Sequence, residues 1–318
     1  MVLRAGIPKK LTCLIAYSLA LIAILAVGAA AQEGGIDKAT EAKEHFNMGL
    51  DLQKKGDDTL AIVEYGYALK NDPNFVDAHI NLGSIYFGTG EYNKALEHFK
   101  KATEIDETNA DAWANLGRTY YKQRKYLDAE TAYKTCLAAD ENYHAVLKDL
   151  GLLYHSQSNW PALIENIGKY VEHVTDDYLA YYLLGKANQK LKKWDLATAN
   201  YTKATELNPE YFNAYNSLGQ VYLSQEKYQQ AFNMFKKAVD LKPSNFRALY
   251  NMAISYHTLS SDDDTGDINN IDNVIVYWDK FLKVARKNPK ASSLVPTAES
   301  TLKDLRDLKA YQEEEAGS

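Results

Sequence analysis

An all-α array of stacked helix pairs is the fold that this 318-residue sequence predicts, on three observations. In frames that start at 42, 76, 110, 144, 178, 212 and 246, a small residue recurs every 34 positions, at Gly49, Gly83, Gly117, Gly151, Gly185, Gly219 and Ala253. Glycine (17) and proline (7) are sparse while tyrosine (24) is abundant, a balance that favours helices joined by short turns over a loop-rich β fold. The composition, 46% apolar and 25% charged, supplies enough apolar surface for a long array and gives no sign of disorder.

The first 31 residues stand apart. Arg4, Lys9 and Lys10 precede a stretch with no charge from Leu11 to Ala31, and it closes on Ala29, Ala30 and Ala31 before Gln32. A positive start, an apolar centre and small residues at the end predict a secretory signal peptide, with a spacer over 32–41 behind it. The competing reading is an uncleaved anchor, since this run is just long enough to span a bilayer. Either way the three positive charges hold the N-terminus inside, and the rest of the chain is expected outside the cytoplasm, secreted or periplasmic if cleaved and membrane-anchored if not. Membrane contact is expected only through residues 11–31. Cys13 lies inside the apolar run and does not mark a lipid-modified terminus. Without residues 1–31 the chain keeps one cysteine, Cys136, too few for an internal disulfide, and 33 basic against 42 acidic side chains, net −9. That charge argues against a nucleic-acid partner.

Further columns follow the small residue in the same register. Three positions on stand Tyr86, Tyr120, Tyr154, Tyr222 and Tyr256, with Leu52 and Asn188 as departures. Ala61, Ala95, Ala129, Ala197 and Ala231 form a second column, and Tyr65, Phe99, Tyr133, Tyr201 and Phe235 a third. Then come Ala68, Ala102, Cys136, Ala204 and Ala238, and after them Pro73, Pro209 and Pro243. Small residues let two antiparallel helices approach closely, and the aromatics fill the space to the next pair. This pattern over residues 42–245 resembles the tetratricopeptide repeat family. The resemblance implies a right-handed superhelical solenoid of about seven helix-turn-helix repeats over 42–289, with a concave groove lined by the first helix of each pair.

Two repeats depart from the pattern. The fourth has Leu163, Ile167 and Tyr170 where Ala, an aromatic and Ala are expected, so its second helix is expected to pack more loosely or at a changed angle. The seventh is interrupted by an acidic insertion near 260–273; aligning Pro289 with the proline column makes it 12 residues long. After it, residues 290–318 carry Leu302, Leu305 and Leu308 on one stripe among charges, as a terminal capping helix with an acidic tail would.

No enzyme signature is present: there is no His-Glu-x-x-His, phosphate loop or Gly-x-Ser-x-Gly, and the seven histidines are scattered. A non-catalytic scaffold without cofactor or metal is expected. His45 and His79 share the column of Trp113 and read as packed aromatics rather than metal ligands. Cys136, in a small-residue column, reads as a buried, inert thiol. Residues 261–272 end like a calcium loop of the dockerin type, but Ser261 and Thr265 replace two expected carboxylates, so a solvated loop ending in a helix cap is the better reading. Asn200-Tyr201-Thr202 is a glycosylation sequon placed in mid-helix.

The position two before the small-residue column reads Asn47, Asn81, Asn115, Asp149, Leu183, Ser217 and Asn251. Packing gives no reason for asparagine, a mediocre helix former, yet its amide can both donate to and accept from a peptide backbone. The run resembles the asparagine ladder with which some solenoids of this family hold extended peptides. The plain alternative is a solvated face. A two-carboxylate clamp fits poorly, because its paired positions fall on Phe46 and Leu50. Around the third repeat, Arg118, Tyr121 and Lys122 join Asn115 on the groove face and form a candidate anion pocket. The groove residues expected to meet a protein or peptide partner are therefore Asn47, Asn81, Asn115, Arg118, Tyr121, Lys122, Asp149 and Asn251. A structural adaptor docked into a membrane complex is the alternative function, and a regulatory subunit of a separate enzyme a third. The pattern sets neither the partner nor the oligomeric state.

Overall fold

The protein was analysed as a computed structural model, which describes residues 37–261 and 268–317. It is all-α, and its helices fall in the predicted pairs. In the first unit these are α1 (Lys38–Lys54) with α2 (Asp58–Asn71), α3 (Val76–Gly88) with α4 (Tyr92–Ile105), and α5 (Ala110–Lys122) with α6 (Tyr126–Ala139). The second unit contains α7 (His144–Ser156) with α8 (Trp160–His173), α9 (Tyr178–Lys190) with α10 (Trp194–Leu207), and α11 (Phe212–Ser224) with α12 (Tyr228–Leu241). It ends with α13 (Phe246–Ser261), α14 (Ile268–Ala285), a 3-10 turn at Pro289–Ala291, and α15 (Val295–Gly317). From the second repeat onward each first helix begins at its 34-residue frame. The first starts earlier, at Lys38. The chain divides into these two compact units between Asp140 and Glu141, a boundary that no composition shift marks.

The small-residue column explains the pairing. A Cβ added at Gly49, Gly83, Gly117, Gly185 or Gly219 would stand 2.5–2.8 Å from the Tyr65, Phe99, Tyr133, Tyr201 or Phe235 ring of the paired helix. Real side chains do not approach so closely, so these columns select each other. The fourth repeat corrects the expectation of looser packing. Leu163 and Ile167 are fully buried, and Gly151 is in the tightest of these contacts, with the Ile167 side chain. A branched aliphatic reaches as far into the helix interface as a flat ring, so the substitution conserves the seam.

First helices of successive repeats also touch, α3 with α5 in the first unit and α7 with α9, α9 with α11 and α11 with α13 in the second. They form the inner wall of each unit. Every repeat from the first to the sixth turns between its helices through a left-handed residue at one position: Gly56, Gly90, Arg124, Ser158, Lys192 and Glu226, with φ of 55–82°. Between repeats, Asp72, Asp106 and Asn208 each accept a backbone N–H two residues on. The fourth repeat has Val174 at this position and uses Asp177 instead. Its carboxylate caps α9 at Leu179 and Ala180, accepts from Lys148 Nζ at 2.6 Å and from the Tyr170 hydroxyl at 3.1 Å, and so binds α7, α8 and α9 together.

At the C-terminus, Leu302 and Leu305 bury against Trp278, Phe281 and Leu282, as a cap should, whereas Leu308 is 47% exposed and leaves the expected stripe incomplete. The candidate calcium loop falls largely outside the described residues. Its closing Asp272 lies within α14 and takes Lys309 of α15 at 2.5 Å.

Candidate functional site

A glycine that faces its partner helix fixes where its neighbours point. Two residues earlier on the helix is a rotation of roughly 200°, so the asparagine column turns away from the second helices and onto the inner wall. Asn47 on α1 is exposed, and Asn81 on α3 and Asn115 on α5 are half-buried, while the glycine two residues on is buried in each case. Arg118, three residues after Asn115, donates to its carboxamide oxygen at 3.3 Å. Lys122, one turn beyond Arg118, is exposed on the same face. Tyr121 is half-buried and turns toward the Tyr126 ring, centroids 5.8 Å apart, which places it at the edge of this cluster. All six residues belong to the first unit. Chemically they offer amide donors and acceptors in a row, ending in a guanidinium and an ammonium, an arrangement suited to an extended backbone with an anionic group at one end.

The same column is used differently in the second unit. Leu183 is buried, and Asp149, Ser217 and Asn251 are polar and half-buried, with Ser217 lying against the Tyr201 hydroxyl. Phe46, at one of the clamp positions, packs on Tyr65 and Phe75 with centroids 5.6 and 4.7 Å away and has no polar role.

Other sequence candidates divide into two groups. Cys136 is fully buried, and the Asn200 amide donates to the Leu196 carbonyl at 2.7 Å within α10. His45 is half-buried against Glu64 at 2.7 Å, and His79 is buried, with its Nδ1 3.0 Å from His98 Nδ1. The sequence reading missed His98, Lys148 and Asp177. His98 occupies in its repeat the position that Glu64 holds in the first, so the pairing with His45 and His79 could have been read from the register. Among the described residues, no group of three or more His, Cys, Asp and Glu stands close enough to hold a metal ion, and no helix is long and apolar enough to cross a membrane. The apolar segment over 11–31 lies outside them.

Two buried tyrosines hold the wall to the second helices. Tyr65 donates to Gln53 and Tyr201 to Gln189, each at 2.8 Å and each between the same two repeat positions. Burial, with a smaller contribution from Asp58, pushes Tyr65 up to about 12. Burial also raises Tyr201, so both remain neutral donors.

Comparison with known proteins agrees with this architecture. A family model described as TPR repeat matches residues 49–90 and 83–124, and two described as tetratricopeptide repeat match 110–143 and 176–244. No curated protein matches the sequence. Among solved structures, the C-terminal part of a TPR repeat-containing protein from Cytophaga hutchinsonii superposes with a TM-score of 0.63 at 17% identity, covering 78% of this chain and 98% of that one. YrrB, described as a TPR protein with an unusual peptide-binding site, gives 0.55 at 22% identity over 58% of this chain and 96% of its own. Pseudomonas aeruginosa pilF gives 0.54 at 19% identity over 69% and 96%. At these identities the likeness is one of fold. The repeat matches, the helix pairs and the glycine-to-aromatic seam agree, and the chain belongs to the tetratricopeptide repeat family, whose fold is that of a protein–protein interaction scaffold.

Proposed function

We propose that the protein is a non-catalytic scaffold outside the cytoplasm that holds extended segments of partner proteins on the inner wall of its first unit. One observation carries this reading: three identical amides stand at 34-residue spacing on the wall face, at positions that packing leaves polar and partly open. Asn47, Asn81 and Asn115 grip the partner backbone, while Arg118, Lys122 and Tyr121 add side-chain selectivity, and Asp149 and Asn251 extend polar contacts in the second unit. A structural neighbour described as having a peptide-binding site supports the use of this fold for peptides. Two net bonds per asparagine at about 0.5–1.5 kcal/mol each give about 3–9 kcal/mol. Ordering a flexible segment takes about 2–5 kcal/mol of this. At most about 7 kcal/mol remains, so the amides alone reach micromolar affinity only at the upper limit.

The extracytoplasmic placement rests on residues 1–31. N-terminal sequencing of protein from its native host should give a chain starting near Gln32; an intact Met1 or Val2 in the membrane fraction would establish an anchor instead. Groove binding is tested by placing a photo-crosslinking residue at Ser84, one turn from Asn81 on α3, and presenting unstructured peptides to the full chain. Crosslinks there support the reading; crosslinks that form equally from a site on an outer helix would remove it.

The membrane adaptor is a second reading, favoured by Leu308 and Tyr311 on α15, 47% and 58% exposed, as an apolar contact surface at the end of the array.

A further inference from the structure

The inner wall of the second unit carries two ammonium groups that the asparagine column does not account for. Lys186 and Lys190 stand one and five residues after Gly185 on α9, and Gly185 faces Tyr201 of the paired helix. These steps are rotations of roughly 100° and 140° away from that contact, so both lysines lie on the wall face together with Leu179 and Leu183. They are one turn apart, about 6 Å along the helix axis. Lys186 is half-buried and Lys190 exposed. On the neighbouring first helix α7, His155 is half-buried and its Nε2 is buried without a hydrogen bond. The Trp160 ring meets that imidazole edge to face at 5.7 Å.

Carboxylates are not scarce in this chain, which has 42 acidic against 36 basic side chains. Lys148, also half-buried, takes Asp177 at 2.6 Å, yet among the described residues neither Lys186 nor Lys190 has a carboxylate within ion-pair distance. Burial lowers the Lys186 ammonium below the usual lysine value and Lys190 lowers it further, with no acidic group acting the other way. Burial lowers His155 as well, and Lys186 adds to the effect, so the lysine and the imidazole stand in one field. A half-buried cation repelled by its neighbours is the setting in which an anion is stabilising.

We propose that Lys186, Lys190 and His155 anchor a carboxylate side chain from an acidic segment of a partner protein. The two ammonium groups donate to the carboxylate oxygens, and His155 Nε2 donates when it carries the ring proton. Leu179, 36% exposed and two turns before Lys186, offers an apolar contact to the methylene stem of a glutamate or to its neighbour, which a free phosphate cannot use. The anchor shares no residue with Asn47, Asn81 and Asn115, and it stands whether or not those amides grip a backbone.

Hexaglutamate and hexaglutamine peptides titrated into ¹⁵N-labelled full-length protein test this directly, with the His155 ring resonances as the local readout. Hexaglutamate is expected to move them saturably, and less so at high salt; hexaglutamine should leave them in place. The double variant Lys186→Gln, Lys190→Gln should raise the hexaglutamate concentration needed at least about tenfold. The double variant Arg118→Gln, Lys122→Gln should leave the His155 response unchanged, which separates this anchor from the cationic cluster of the first unit. Sodium phosphate is the remaining arm and should move the resonances only at much higher concentration. The proposal is overturned if hexaglutamate gives no saturable movement, if hexaglutamine or phosphate acts as strongly, or if the response survives loss of both lysines. The wild-type titrations decide the matter even if a variant fails to fold.

Discussion

The inner walls of the two units are built on one register and finished in different ways. In the first unit the column two before the glycine is asparagine three times, and none of the three side chains fills a core position. In the second, Leu183 is buried, Ser217 lies against Tyr201, and Asp149 stands near Tyr170. A register position is therefore not a role. Where the column has become part of the packing, its side chains are explained by their neighbours; where it has not, the proposed partner backbone and plain solvation are the two readings that binding experiments separate.

The largest effects should be common to both units, because the seam is. Phe99→Ala in the first unit and Tyr201→Ala in the second, both essentially fully buried, should each cost about 3–5 kcal/mol in denaturant melts. A much smaller loss in one of them would show that its unit is not held by the seam.

Next in size is a feature of the second unit alone. Asp177→Ala removes the cap of α9 and the acceptor of Lys148 and Tyr170, and should cost about 2–3 kcal/mol. Burial pulls the Asp177 carboxyl up, but Lys148, the Ala180 amide and the Tyr170 hydroxyl outweigh it and hold it below the usual carboxylate range. Its contribution is thus complete above the unfolded value of about 3.9 and is lost as pH falls below it. The histidines act earlier. Burial lowers His79, His98, His155 and His257, so the folded chain binds fewer protons than the unfolded one. Stability should fall as pH drops through about 6.5 toward 5. A melting temperature flat between pH 8 and 5 would contradict these environments.

These points mark what was legible. The helix pairs, the frames and the buried columns follow from spacing alone, because a 34-residue period leaves each small residue one partner to meet. Asp177 was not legible: its partners Lys148 and Tyr170 stand 29 and 7 residues away, and only the fold brings them together. His98 was hidden for a related reason, since its meaning depends on a histidine in the facing helix. Leu308 was misread because the stripe on α15 is longer than the surface it covers. The candidate wall residues all lie on first helices, but Tyr121 is drawn aside by Tyr126, a neighbour across a turn.

A smaller effect separates the intra-repeat turns. The first two repeats place Gly56 and Gly90 at the left-handed position, whereas the second unit places Ser158, Lys192 and Glu226 there. Lys192→Gly should stabilise by about 1 kcal/mol and Gly90→Ala destabilise by a similar amount. Equal signs for the two changes would show that the turns are not under this constraint.

The wall itself is tested by binding rather than stability. A peptide recovered by crosslinking at Ser84 is titrated calorimetrically into wild-type protein, into the triple variant Asn47→Ala, Asn81→Ala, Asn115→Ala, and into Asn200→Ala, whose amide is already bonded within α10. The account predicts that the triple variant binds at least about tenfold more weakly, the loss of about 1.4 kcal/mol or more that three amides can supply. Its melting temperature should be almost unchanged, and Asn200→Ala should bind like wild type. Unaltered affinity in the triple variant would contradict the account and reduce the asparagine column to a solvated face.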